Sequence, residues 1–334
     1  SKAFIDLEEL GFKSDDLSIY TSMLTRPQGI VLVTGPTGSG KSTTLYGSLN
    51  RLRSEVINIV TVEDPVEYQL PGISQVQVNE KAGITFASGL RSILRQDPNV
   101  VMVGEIRDAE TAKIAFQAAN TGHLVLTTLH TNDASSAVTR LVDLGVDPYV
   151  IASSLLCVLA QRLVRKNCPH CLVSDKVDKQ LLTRLGFSAT EKFENKIKKG
   201  QGCEACQFTG YMGRIGIYEV LRVDDDLRKL IVKGASDTEI AENARERGIE
   251  DMFGDCRDKL LRGVTSVEEL MRVAPPPEAK DFVAPVEEAA IALAEDKAVE
   301  PSRGQLRILA VDDDPFIRKM LEKVLTEAPV SYTH

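Results

Sequence analysis

The chain has 334 residues, 43% of them apolar and 26% charged, which is room for two or three globular domains. No apolar run approaches membrane-spanning length and no signal peptide opens the chain, so a cytoplasmic protein is expected. The net charge of −8 is uneven, with 12 acids against 7 bases from Ala274 onward and 36 against 33 before it. The near-neutral larger part lacks the basic excess of a duplex-tracking enzyme, and no nucleic-acid partner is expected.

In chain order, residues 5–24 carry apolar side chains at mixed spacing, and Asp15 and Asp16 mark a helix start. An apolar run, 30–34, then meets Gly35-Pro36-Thr37-Gly38-Ser39-Gly40-Lys41-Ser42-Thr43, and a helix-forming segment follows. This is G-x-x-x-x-G-K-S in the strand–turn–helix setting of a P-loop. The glycines let backbone N–H groups converge on phosphate oxygens, and the helix aims its positive end at the same anion. Lys41 should reach the β- and γ-phosphates of ATP and Ser42 should ligate Mg²⁺. The segment 5–24 is expected, from its position, beside the nucleotide base.

Further on, 57–62 is β-rich and ends in Glu63-Asp64-Pro65-Val66-Glu67. Residues 74–79 alternate with period two, as in an exposed antiparallel strand. Phe86, Leu90, Ile93 and Leu94 fall at helical spacing, 100–103 is a buried strand, and Asp108 caps a helix reaching Asn120. A further strand, 124–129, ends at His130. Strands alternating with helices predict an α/β fold, with ligands at the C-terminal ends of a mostly parallel sheet.

Each of those strand ends carries a candidate catalytic group. Glu105 sits where a Walker B carboxylate belongs, and Gly104 replaces the magnesium-linked Asp found in many P-loop enzymes, so Glu63, Asp64 or Glu67 must share magnesium and water duties. His130 is within reach of the γ-phosphate, whereas His123, at the start of its strand, belongs at the far edge of the sheet. A solvated glutamate and a structural histidine are the plain alternatives. Arg91, Arg95, Arg107 and Arg140 lie near these strands, and each is either an interface cation completing a neighbour's site or a surface ion-pair partner.

In this order the P-loop, Thr61-Val62-Glu63-Asp64-Pro65-Val66-Glu67-Tyr68, Val103-Gly104-Glu105-Ile106-Arg107-Asp108, and Thr121-Gly122-His123 through Leu129-His130-Thr131-Asn132 resemble the Walker A, Asp, Walker B and His boxes of the type II secretion and type IV pilus assembly ATPases. The resemblance covers roughly residues 5–273. It implies a RecA-like homo-hexameric motor that drives pilin or pseudopilin assembly, held peripherally at the inner membrane through a platform protein. Glu67 would position the attacking water, with Glu105 supporting it through Mg²⁺. The N-terminal domain that precedes the motor in that family is expected to be missing. A RecA-like nucleic-acid motor or a nucleotide-dependent regulatory module is the rival reading.

Cys168-Pro169-His170-Cys171 and Cys203-Glu204-Ala205-Cys206 form two C-x-x-C knuckles able to give four thiolates to Zn²⁺, with a small subdomain, about 165–210, between and around them. Redox-active pairs or free thiols are the alternatives. The resembling assembly ATPases share these cysteines, and their retraction relatives typically lack them. Cys157 and Cys256 read as buried thiols in helical surroundings, and Lys192, Lys196, Lys198 and Lys199 make a basic edge that is either solvated or faces a platform partner. Residues 213–220 return to a strand, and short helices close the domain by 273. An Ala/Pro/Glu-rich linker, 274–305, follows, with a short helix around 287–295. Residues 306–334, with the acidic pair Asp312 and Asp313, resemble the strand and helix that begin a response-regulator receiver domain, truncated before its phosphate-accepting Asp.

Overall fold

A computed structural model describes residues 6–187 and 196–276. The chain divides after Lys280 into two units, and the second lies wholly outside the described residues, as do the linker from 277, the helix expected around 287–295 and the receiver-like segment 306–334.

Strand β1 (Gly29–Thr34) is buried along its whole length. Ile30 and Leu32 face one hydrophobic cluster, while Val31 and Val33 face the other. A strand covered on both faces reads as a continuous apolar run, which is why this one shows no alternation. It sits near the middle of a seven-stranded sheet of order β3-β2-β4-β5-β1-β6-β9. The partners are β2 (Ile59–Glu63), β3 (Ser74–Gln77), β4 (Val100–Val103), β5 (Leu124–Leu129), β6 (Leu155–Asn167) and β9 (Tyr211–Arg222). All neighbours are parallel except β6 and β9.

The antiparallel expectation for 74–79 is corrected here, because β3 runs parallel to β2, with Val60 opposite Ser74 and Glu63 opposite Gln77. As the outermost strand, β3 is only partly covered, with Ser74 and Gln77 exposed and Gln75 and Val76 half-buried, as an edge strand can be in either direction. Alternation records half-burial and carries no information about direction.

Helices α1 (Ser14–Leu24) and α2 (Lys41–Leu52) cover one face, with Tyr20, Met23, Leu24, Leu45, Tyr46 and Leu49 in its cluster. The other face packs α3 (Phe86–Ile93), α4 (Ala109–Asn120), α5 (Ala134–Asp143) and α6 (Pro148–Ser154), then α8 (Asp225–Val232), α9 (Asp237–Glu246), α10 (Met252–Leu261) and α11 (Val267–Val273). Side-chain caps set several starts. Asp108 accepts the Thr111 N–H at 2.7 Å, Asp133 accepts Ser136 at 2.9 Å, and Thr85 with Ser88 closes a capping box. Among the described residues no helix is long and apolar enough to cross a membrane.

Strand β6 outruns β1, whose last partner pair is Thr34 with Ala160. From Gln161 to Asn167 it pairs only with β9, as a two-stranded arm that ends at Cys168. Between the knuckles, β7 (Leu172–Ser174) and β8 (Lys198–Gly200) form a small antiparallel pair, with α7 (Lys179–Arg184) in the connection. Asn167 fastens this end to the body, donating to the Lys198, Gly263 and Thr265 carbonyls at 2.8–3.1 Å.

A charged staple holds α11 on the arm. Fully buried Glu269 accepts the Arg165 backbone N–H and Nε and the Arg272 Nε, all at 2.8 Å. Burial opposes its charge, but the two guanidiniums outweigh that and hold the carboxyl at about 2, well below its ordinary 4.5. Its folded value is therefore depressed, so its contribution is complete above the ordinary value and is lost as pH falls toward 2. Glu269→Gln is expected to cost about 2 kcal/mol at neutral pH. Urea unfolding should then show a shallower loss of stability on acidification than in the unmutated protein. Parallel losses in the two proteins would refute the assignment.

Candidate active site

The P-loop leaves β1 at Gly35 and enters α2 at Lys41. Gly40, the residue before that helix, has φ +89°, and Gly35 has φ +149° with room for no side chain, since a Cβ there would lie 2.4 Å from the Gln161 carbonyl oxygen. Lys41 Nζ donates to the Gly35 carbonyl at 2.8 Å and the Pro36 carbonyl at 3.1 Å. Burial lowers its pKa, against the pull of Glu105. Thr37, Gly38, Gly40, Lys41, Ser42 and Thr43 line a cleft of about 700 Å³, at the C-terminal ends of the parallel strands. Glu63, Asp64, Glu67, Glu105, Arg107 and His130 line the same cleft.

The carboxylates occupy different situations. Glu63 is 4% exposed and fully engaged, accepting from the Tyr46 hydroxyl, the Thr61 hydroxyl and Gln75 Nε2. Tyr46 in turn accepts the Glu67 backbone N–H at 3.3 Å. Burial, reinforced by Glu63, raises the Tyr46 hydroxyl pKa and keeps it a donor. Glu63 thus acts as an internal anchor whose chain of hydrogen bonds fixes the loop carrying Glu67, and the Glu67 side chain stands exposed at the cleft.

Glu105 is held from behind, because Thr128 Oγ1 donates to the Gly104 carbonyl at 2.7 Å and the Ile106 N–H donates to the Thr128 carbonyl at 3.0 Å. At Gly104 an added Cβ would press on Phe86 and the Val62 carbonyl at 3.3 Å. Arg107 contacts Glu105 at 2.5 Å and Asp64 at 3.6 Å, and His130 Nε2 lies 3.4 Å from Glu105. Burial works against the charge of Glu105, but Arg107 and His130 outweigh it and lower its pKa. The carboxylate is therefore ionised at neutral pH.

Four of the five candidate catalytic residues, Lys41, Glu67, Glu105 and His130, converge on the cleft with their chemistry facing it, and the fifth, Glu63, supports them. Among the candidate arginines only Arg107 lines the cleft; Arg91 pairs with Glu110 on α4, and Arg95 and Arg140 are exposed elsewhere. His123 lies at the opposite strand end, its Nδ1 2.9 Å from the Ala118 carbonyl. Of the segment expected beside the base, no described residue lines the cleft, and the apolar face of α1 packs on the sheet. Sequence reasoning missed Tyr46, Gln161, Thr128 and Arg214. Arg214 lines the cleft from β9, and its only sequence signal is its place before the strand run 215–220.

At the far end of the β6–β9 arm, the sulfurs of Cys168, Cys171, Cys203 and Cys206 lie within 4.8 Å of one another. Sγ···Sγ distances of 3.7, 3.9 and 3.9 Å match the edge of about 3.8 Å set by a tetrahedral site with Zn–S near 2.3 Å. Backbone N–H groups of Gly202, Cys203 and Gly210 point at sulfurs of this set at 3.2–3.3 Å, as thiolates require. The donor set fits a structural Zn²⁺. Cys157 and Cys256 are fully buried as expected, though Cys157 lies on β6 and not in a helix. Lys199 of the basic edge pairs with Asp175 at 2.7 Å, and Lys192 lies outside the described residues.

Comparison with known proteins gives the cleft its relatives. The type IV pilus assembly ATPase PilB of Thermus thermophilus is 52% identical over 266 residues, 80% of this chain and 30% of that protein. The type II secretion system protein HxcR of Pseudomonas aeruginosa is 52% identical over 267 residues, 80% of this chain and 53% of that protein. The chain thus spans a third to a half of the length of these curated relatives. The crystal structure of the pilus retraction motor PilT with bound ADP superposes with a TM-score of 0.63 at 27% identity, over 84% of this chain and 70% of that one. A family model described as type II/IV secretion system protein matches residues 1–272, and the chain belongs to that family.

Proposed function

We propose that residues 1–273 are the ATP-hydrolysing module of a motor that assembles pilin or pseudopilin subunits for type IV pilus biogenesis or type II secretion. The observation that carries this reading is the convergence, in one cleft, of the P-loop with Glu67, Glu105 and His130. The curated relatives are named as pilus assembly and secretion proteins, which supports the coupling to assembly.

In this reading the P-loop N–H groups and Lys41 hold the β- and γ-phosphates, and Ser42 holds Mg²⁺, which would neutralise phosphate charge. Glu67 orients the attacking water and takes its proton. Glu105, kept ionised by Arg107 and His130, would support the metal. The four cysteines hold Zn²⁺ as a closed structural site of the 165–210 subdomain, with no open position for catalysis. The module works as a homo-hexamer, peripheral at the inner membrane through a platform protein, with an arginine of a neighbouring subunit completing the site. We read residues 274–305 as a linker and 306–334 as the truncated start of a receiver domain.

The test is Mg²⁺-dependent phosphate release by the purified chain, with Lys41→Ala beside it. Turnover that rises with multimer formation and falls at least about 10²-fold in Lys41→Ala is the expected result. Equal turnover in both proteins would reject the reading, and stimulation by single-stranded DNA would favour a nucleic-acid motor.

A further inference from the structure

Strand β6 carries an uncharged polar side chain, Gln161, directly after the apolar run 155–160, and it is 1% exposed. A buried amide is tolerated only where both ends are satisfied, and here both ends are spent on the P-loop and its helix. Oε1 accepts from Thr44 Oγ1 at 2.8 Å, and Nε2 donates to the Ser39 carbonyl at 2.8 Å. The backbone oxygen of Gln161 fills the space that a Cβ on Gly35 would need, at 2.4 Å, and a Cβ on Gly40 would lie 3.3 Å from its Nε2. One residue therefore contacts the start and end of the loop and the first turn of α2. Its position follows from register, since it is the first β6 residue past the end of β1, alongside the point where the chain leaves the sheet for the loop.

The contact to Ser39 has a directional consequence. Across a trans peptide the C=O and the following N–H point in opposite directions. Fixing the Ser39 carbonyl on Gln161 therefore aims the Gly40 N–H away from β6, on the side where a phosphate binds. Without that contact the Ser39–Gly40 peptide is free to rotate, and the loop must be ordered at the moment of binding.

We propose that Gln161 is a positioning residue for phosphate recognition, holding the Ser39 carbonyl so that the Gly40 N–H is set toward the nucleotide before it arrives. The inference rests on the reading of the cleft as a nucleotide site. It does not make Gln161 a catalytic residue, because nothing places it on the reacting atoms.

Three variants separate positioning from packing. Gln161→Leu removes both contacts. Gln161→Glu, studied at about pH 8 to keep it ionised, retains an acceptor for Thr44 but sets an oxygen against the Ser39 carbonyl. Thr44→Val removes the contact to Oε1, along with the Thr44 hydroxyl's contact to Tyr218, and leaves the one to the loop carbonyl in place. With a fluorescent ATP analogue, Kd is expected to rise about tenfold in both Gln161 variants and less than about threefold in Thr44→Val. KM for ATP should follow Kd, while kcat at saturation stays within about threefold. A purely structural role would lower Tm in all three and leave Kd unchanged, and that outcome overturns the proposal. Should Gln161→Leu not fold, equal Kd values for Gln161→Glu and Thr44→Val would overturn it as well. If the folded, unmutated protein bound no analogue, the nucleotide reading would fail first and take this inference with it.

Discussion

Glu67→Gln is expected to bind ATP as tightly as the unmutated protein and to lose at least about 10²-fold in turnover. The geometry gives the reason for the split. Lys41 and the loop glycines, which would hold the phosphates, are not altered by the substitution, so the amide leaves phosphate binding untouched. The backbone of Glu67 is held by its N–H to Tyr46, which the substitution also leaves in place. Only a carboxylate able to orient water and take its proton is removed. Glu63→Gln gives a useful contrast. It disturbs a buried acceptor of three donors, so it should lower stability as well as turnover. Single-turnover hydrolysis, measured beside analogue binding, checks both variants. Unchanged hydrolysis in Glu67→Gln would move the water-orienting role to Glu105 or Asp64.

The contrast between Glu63 and Glu67 also shows what the sequence can and cannot say about this site. The P-loop is legible because the chemistry demands fixed residue types at fixed local spacing, and the positive φ at Gly35, Gly38 and Gly40 bears that out. The strand-end positions of Glu105 and His130 are legible for a similar reason, since an apolar run announces a buried strand and its last residue announces the sheet edge. Which of three nearby carboxylates is free is decided by Tyr46, Thr61 and Gln75, and that pairing depends on packing between α2, β2 and β3. No local pattern encodes it. The same holds for Gln161, more than a hundred residues from the loop it holds. The direction of β3 was missed because half-burial looks alike in both orientations.

Purified protein is expected to carry one Zn²⁺ per chain, and its loss should loosen one end of the molecule and not the other. The cysteines lie beyond the sheet, on the part of β6 that pairs only with β9. Their immediate surroundings are a three-residue 3-10 turn at each knuckle and the short β7–β8 pair, too little apolar surface to hold the knuckles together without the metal. The core strands β1, β4 and β5 are buried on both faces and owe nothing to it. A chelator, or Cys203→Ser, should therefore speed amide exchange across 168–174 and 198–210, while protection persists in 29–34, 100–103 and 124–129. Arg214 and Leu163 line the cleft from the same two strands, so the damage should reach the cleft wall through the arm before it reaches the P-loop. ATP affinity should fall after exchange at the knuckle has already risen. Protein free of zinc under reducing conditions, or exchange that rises uniformly along the chain, would show that the four sulfurs are packed thiols and that the knuckle stands without a metal.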